Sequence, residues 1–238
     1  MLEKIDSVLK REGKRIRARI TKRNEERCIH RHSIKTHPNC FRRGGKMLLK
    51  NKQRWYEEEN LTLASLDVET SHLKANLGFM LSWALKYRGG KIVSDIITRE
   101  EILNGTFDKR IVGTLVKELE NIDIIITYYG LGFDAPYLRA RALYWGYHFP
   151  AHGSIYHFDV YYRVRRLLRL HRNSMDAASK FFGIDGKTHI DVSTWQKAAY
   201  GNKKALKEVL DHNIEDVKVT EELFDLLEDY SKWTRRSL

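Results

Sequence analysis

Residues 65 to 70 read Ser-Leu-Asp-Val-Glu-Thr, an apolar approach that ends in two carboxylates with one valine between them. On a strand, side chains two apart leave the same face, so Asp67 and Glu69 point together while Val68 points the other way. Two further acids are placed to join them. Asp134 comes just after the apolar run 122 to 127 and opens a helical pattern. Asp216 lies on a C-terminal helical pattern, with His212 one turn before it on the same face. Four converging carboxylates repel one another and raise each other's pKa values, so the set makes chemical sense around cations. All-oxygen ligands favour Mg²⁺ or Mn²⁺.

The elements that must position these groups follow from hydrophobic periodicity. The stretches LTLASLDVET, GFMLSWALKYR and KIVSDIIT read as three strands, the last two joined by a turn at Gly89-Gly90. FDKRIVGTLVKELEN gathers Ile111, Val112, Leu115, Val116 and Leu119 on one helical face, and IDIIIT is a buried strand. DAPYLRARALYWG is then a helix and IYHFDV a strand. After Asp159 the pattern is helical: YYRVRRLLRLHR, then SMDAASKFFG with Ser174 as N-cap and Gly183 as stop, then a last helix over roughly 205 to 230. Three strands followed by alternating helices and strands predict an α/β domain with a mixed sheet flanked by helices.

Charge divides the chain. Residues 1 to 54 hold 18 Lys/Arg against 5 Asp/Glu, whereas the remaining 184 residues are nearly balanced at 25 against 26. We therefore divide it into a basic N-terminal arm, 1–54, and a catalytic domain, 55–238. Such asymmetry points to an anionic polymer, with counterion release supplying affinity. The arm also carries both cysteines: Cys28, His30, His32, His37 and Cys40 fall within 13 residues, an expected structural Zn²⁺ site. The other reading of these histidines is a basic arm that simply meets phosphate. Residues 1 to about 25 have helical spacing, and Trp55 and Tyr56 are expected to pack on the domain or stack a base. No apolar run reaches the ~20 residues of a membrane span, and the opening residues lack the apolar centre of a signal peptide, so a cytoplasmic protein with no membrane partner is expected.

The segments LDVET, ITYYGLGFDAPYLRARA and HNIEDV stand in the order and approximate spacing of the three motifs of the DEDD 3′–5′ exonucleases, which have the RNase-H-like fold. FDAPYLRARA resembles the exonuclease domain of family B DNA polymerases, and DAASKFFGIDGK resembles that family's helix after the middle motif; the resemblance covers roughly residues 61 to 230. It implies that Asp67 bridges two metal ions ~4 Å apart, that Glu69 and Asp216 complete one, and that Asp134 supports the other. It further implies that Thr70 sits near the terminal 3′ hydroxyl and that Phe133 helps to hold the last base.

Two positions depart from the pattern. His212 occupies the spacing of the polymerase tyrosine, four residues before the last Asp, where another branch carries His five before it. Its position on the Asp216 face still suits it to orient or deprotonate water. Gly132 stands where the polymerase pattern favours Asn, a position counted among the nucleic-acid contacts. The resemblance thus implies an exonuclease acting on single-stranded DNA or 3′ ends and releasing nucleoside 5′-monophosphates. RNA as substrate is the alternative within the enzyme class, an endonuclease on branched or hybrid substrates a further one, and a catalytically inactive nucleic-acid-binding module the alternative outside it. The complete carboxylate set weighs against the last.

Overall fold

A computed structural model describes residues 61–186 and 188–231. The sheet begins as an antiparallel meander of β1 (Leu63–Thr70), β2 (Met80–Tyr87) and β3 (Ile92–Ile96). It is extended on the other side of β1 by β4 (Ile124–Thr127) and β5 (Tyr156–Asp159), both parallel to their inner neighbours. The five-stranded order is β3-β2-β1-β4-β5, which makes β1 the central strand of a mixed sheet. The expected mixed α/β class is observed. The expected helix over 1–25, the zinc-binding cluster of Cys28, His30, His32, His37 and Cys40, and Trp55 and Tyr56 lie outside the described residues.

Seven α-helices are described: α1 (Arg99–Leu103), α2 (Lys109–Leu119), α3 (Asp134–Tyr144), α4 (Val160–Leu167), α5 (Met175–Phe182), α6 (Val192–Ala199) and α7 (Lys203–Leu227). Caps set several of their ends. The Ser174 side chain accepts from the Ala177 N–H, and Gly183 ends α5 at φ 67°, as their sequence positions predict. The Asn202 side chain caps α7 in the same way. Two short helices escape the sequence reading. Thr98 and Glu101 form a reciprocal capping box that starts α1, and the Asp191 side chain caps α6. The helix expected over YYRVRRLLRLHR stops earlier, at Leu167, with Leu168 extended. Only Val160, Arg163 and Val164 of that helix are buried, so no apolar stripe continues to hold it. No helix among the described residues is long and apolar enough to cross a membrane.

The two faces of β1 have different partners. Val68 stands opposite Trp83, whose indole N–H donates to the Ile111 carbonyl of α2. On that side Leu66, Val68, Trp83, Ile111, Leu115 and Leu119 form one core, each buried aliphatic side chain contributing about 1.5–3 kcal/mol. On the other side Ser65 stands opposite Lys86, which forms an ion pair with Glu221 of α7. α7 therefore runs over the face that carries Ser65, Asp67 and Glu69.

The start of β2 is tied to the helices by a buried charge cluster. Asp108 is fully buried and accepts hydrogen bonds from the Met80 N–H at 2.8 Å, the Trp145 indole at 2.8 Å, and Arg141 through Nε at 2.8 Å and Nη2 at 2.5 Å. Arg141 is itself buried. Asp108→Ala leaves that guanidinium without its counterion, and urea denaturation should report a loss of about 3–5 kcal/mol. A loss below about 1 kcal/mol would show that the cluster is peripheral to stability.

Candidate active site

The polar side of β1 meets α7 at the strand's C-terminal end. Glu69 leaves the face opposite Ser82, Asp67 the same face opposite Ala84, and the ladder shifts register between Glu69 and Thr70. Small residues at 82 and 84 leave room there for side chains from the helix. α7 contributes from the middle of its inward stripe: Val209, His212, Asp216, Thr220 and Leu223 are all buried, so His212 and Asp216 occupy core positions of an otherwise largely apolar face. His212 Nε2 lies 3.6 Å from Glu69 Oε1 and 3.7 Å from Asp216 Oδ2. One ligand atom from each of the three falls within 4.8 Å of the others.

The imidazole is oriented from behind. Thr188 Oγ1 lies 2.6 Å from His212 Nδ1, and the Trp195 ring stands edge-on to the imidazole at 6.1 Å. When the hydroxyl accepts from Nδ1–H, Nε2 presents its lone pair between the two carboxylates. The site then offers two oxygen ligands and one nitrogen from two elements.

Asp134 arrives from the opposite direction as the first residue of α3. Its Oδ1 accepts from the Val68 N–H at 3.1 Å, so its carboxylate is held against the backbone between Asp67 and Glu69. Burial pushes its pKa up to about 7, against backbone N–H bonds that favour the anion, and nearby Asp159 adds to the rise.

Asp159, the last residue of β5, is the group that sequence reasoning missed. It is buried and accepts from the Tyr129 and Leu131 N–H groups of the β4–α3 loop and from Tyr161 N–H at the start of α4. One carboxylate therefore holds the loop that delivers Asp134. An acid at the end of a buried strand, next to a helical pattern, was the available signal.

The expected nucleic-acid contacts are placed as follows. Thr70 ends β1, its hydroxyl donating to the His72 carbonyl at 3.1 Å. Phe133 is partly buried against the core, its ring 5.5 Å from that of Tyr137. At Gly132 a Cβ would come within 2.5 Å of the Tyr129 ring, so a side chain there would displace that ring from its present position.

Residues 64–228 match the profile of the RNase H superfamily. The sequence is 30% identical over 196 residues to DNA polymerase 1 of Pyrococcus abyssi, covering 69% of this chain and 25% of that protein. It is 28% identical over 201 residues to a DNA polymerase of Pyrococcus glycovorans, covering 70% and 25%. Its fold superimposes on the family B DNA polymerase of the hyperthermophilic archaeon Pyrobaculum calidifontis with a TM-score of 0.60 at 19% identity, covering 71% of this chain and 24% of that one. The chain thus spans about a quarter of the length of the curated relatives it matches.

The buried acid at α3 has a measurable signature. Unfolded, Asp134 ionises near its ordinary value of 3.8; folded and without a cation, it keeps its proton to about 7. Its contribution to stability is complete below about pH 4 and is lost as pH rises towards 7. Denaturant titrations in EDTA should show this decline, and Asp134→Asn, which retains the acceptor for Val68, should flatten it. An identical pH slope in the two proteins would contradict the raised pKa.

Proposed function

The chain belongs to the RNase H superfamily, and from that premise we propose that it is a metal-dependent 3′–5′ exonuclease of the DEDD type, hydrolysing the terminal phosphodiester of single-stranded or frayed DNA to nucleoside 5′-monophosphates. The observation that carries this reading is the meeting of β1 and α7: the carboxylates of Glu69 and Asp216 converge with the His212 imidazole beside them, while Asp134 is hydrogen-bonded to the residue between Asp67 and Glu69.

The residues fit a hard divalent cation. Asp67, Glu69, Asp134 and Asp216 supply oxygen donors from three elements, which suits Mg²⁺ or Mn²⁺ better than softer ions. The raised pKa of Asp134 supports the same view, since a nearby cation would favour its ionised form. In this reading Asp67, Glu69 and Asp216 would hold one ion, and Asp67 with Asp134 would hold a second. Such a pair supplies an activated water and a stabilised leaving 3′ oxygen.

The chain's own groups do the rest. His212, fixed by Thr188, turns Nε2 towards the space between Glu69 and Asp216, where it can orient the attacking water and accept its proton. Thr70 stands beside the terminal 3′ hydroxyl, and Gly132 and Phe133 border the last nucleotide. The basic arm, residues 1–54, adds long-range attraction for the strand.

The test is time-resolved digestion of 5′-labelled single-stranded DNA and a matched RNA in Mg²⁺, Mn²⁺ or EDTA. DNA should shorten from its 3′ end only with metal, and Asp67→Ala or Asp216→Ala should slow this by about 100-fold or more while leaving binding largely intact. Preferential shortening of the RNA would replace DNA as the substrate. Tight binding without shortening of either would leave a binding module.

A further inference from the structure

Beyond the carboxylate centre, the largest unexplained concentration of charge in the domain is the stretch 160–175. It contains Arg163, Arg165, Arg166, Arg169 and Arg172 and no Asp or Glu, within a body of nearly balanced charge. Arg163 turns inward, its guanidinium 4.8 Å from the centre of the Phe158 ring. Arg165 and Arg166 are exposed and, among the described residues, form no ion pair. With Tyr162 and Arg163 they line an open cavity of about 340 Å³. Asp159 also borders it, but both of its oxygens already accept backbone N–H groups. The cavity is thus lined by three arginines and a single acid, whose oxygens are held by backbone N–H groups.

Beside it stands an aromatic cluster. The Tyr129 ring centre is 4.8 Å from that of Tyr161 and 6.3 Å from that of Tyr162, and Tyr161 and Tyr162 meet at 5.2 Å. Tyr129 is 45% exposed although it is a large ring in a cluster, and its φ of 68° is a conformation that bulky side chains rarely adopt. Asp159 holds its N–H, and its carbonyl accepts from both Gly132 and Phe133 N–H groups. The unusual backbone is over-determined by its surroundings, as strained positions with a role tend to be. The catalytic reading makes no use of it. Phe133, bonded to the Tyr129 carbonyl, immediately precedes Asp134, so the cluster lies one turn of chain from the carboxylates.

We propose that Tyr129, Tyr161 and Tyr162 together with Arg165 and Arg166 form the surface that carries single-stranded DNA towards the catalytic carboxylates. Unpaired bases stack on the tyrosine rings while the arginines meet the adjoining phosphates. A base-paired strand offers no free base face to the rings, and an acidic peptide offers charge without stacking partners. This assignment rests on the exonuclease reading for its direction, but it is a statement about binding and is tested as one.

The experiment measures binding of fluorescent dT3, dT12, rU12 and a blunt 12-base-pair duplex to the full chain carrying Asp67→Ala, so that no strand is digested, across a range of salt. Arg165→Gln/Arg166→Gln should weaken dT12 binding about ten-fold and lower its salt slope by about 1.4, the release expected for two phosphate contacts. Tyr129→Ala should cost about ten-fold with the slope unchanged, and Tyr129→Phe should restore affinity because the ring remains. Both losses should shrink the affinity gained on lengthening dT3 to dT12. Tyr129→Gly, which relieves the backbone strain, guards against misfolding and should behave as Tyr129→Ala. Variants that bind dT12 as tightly as the background at every salt overturn the proposal, as does an equal loss on the duplex, which would mean phosphate attraction alone, or a loss confined to rU12. These readings do not depend on catalysis. An enzyme that digests nothing overturns the exonuclease reading, whereas variants indistinguishable from the background overturn the surface.

Discussion

The structure depends on the two-residue alternation of β1 at the centre of the sheet. Its even positions, Ala64, Leu66 and Val68, join the core, while its odd positions, Ser65, Asp67 and Glu69, face α7. A slip of one residue would drive both acids into the apolar core and the core residues under α7, so register here is under strong selection by burial energy alone. The placement of every other site residue follows from it. α7 brings His212 and Asp216 to Glu69 beside the small side chains of Ser82 and Ala84 on β2. α3 can set Asp134 against the Val68 N–H only because β4 runs parallel to β1 and ends beside it.

The domain buries carboxylates in two ways, and the contrast separates stability from function. Asp108 receives four donor contacts, including Nε and Nη2 of Arg141, which is the condition under which a buried ion pair is tolerated. Asp134 has backbone N–H groups and a second acid, Asp159, for company, so burial outweighs the hydrogen bonds and its pKa is pushed up to about 7. The first arrangement joins β2, α2 and α3 into one unit. The second is unfavourable for a bare carboxylate and would become favourable beside a cation.

Much of the fold was legible in the sequence because the relevant rules are local. Alternation identified the three strands of the meander, helical spacing identified α2, and the i, i+4 relation put His212 and Asp216 on one face. Ser174 and Gly183 marked the ends of α5 by residue type. Other features were hidden because their causes are tertiary. α1 has five residues, too short for a periodic signal, and α6 buries only Ala198 and so has no apolar stripe, although the Thr98–Glu101 capping box was present to be read. α4 was overextended because arginines and leucines form helices readily, whereas packing stops at Val164. The Asp108–Arg141 pair spans 33 residues and leaves no local mark.

Gly132 shows the same limit within the site itself. From sequence it is only a departure from a motif; in the structure it is the space that the Tyr129 ring occupies. Tyr129 in turn keeps its left-handed backbone because Asp159 takes its N–H, and Asp159 also takes the N–H of Leu131 and caps α4. One buried acid therefore fixes both the loop that ends in Asp134 and the exposed tyrosine that begins it. The carboxylate centre and the aromatic surface are not independent features joined by a flexible loop. They share an anchor in Asp159, so the exposed tyrosine and Asp134 are held in a fixed relation to one another by the same set of hydrogen bonds.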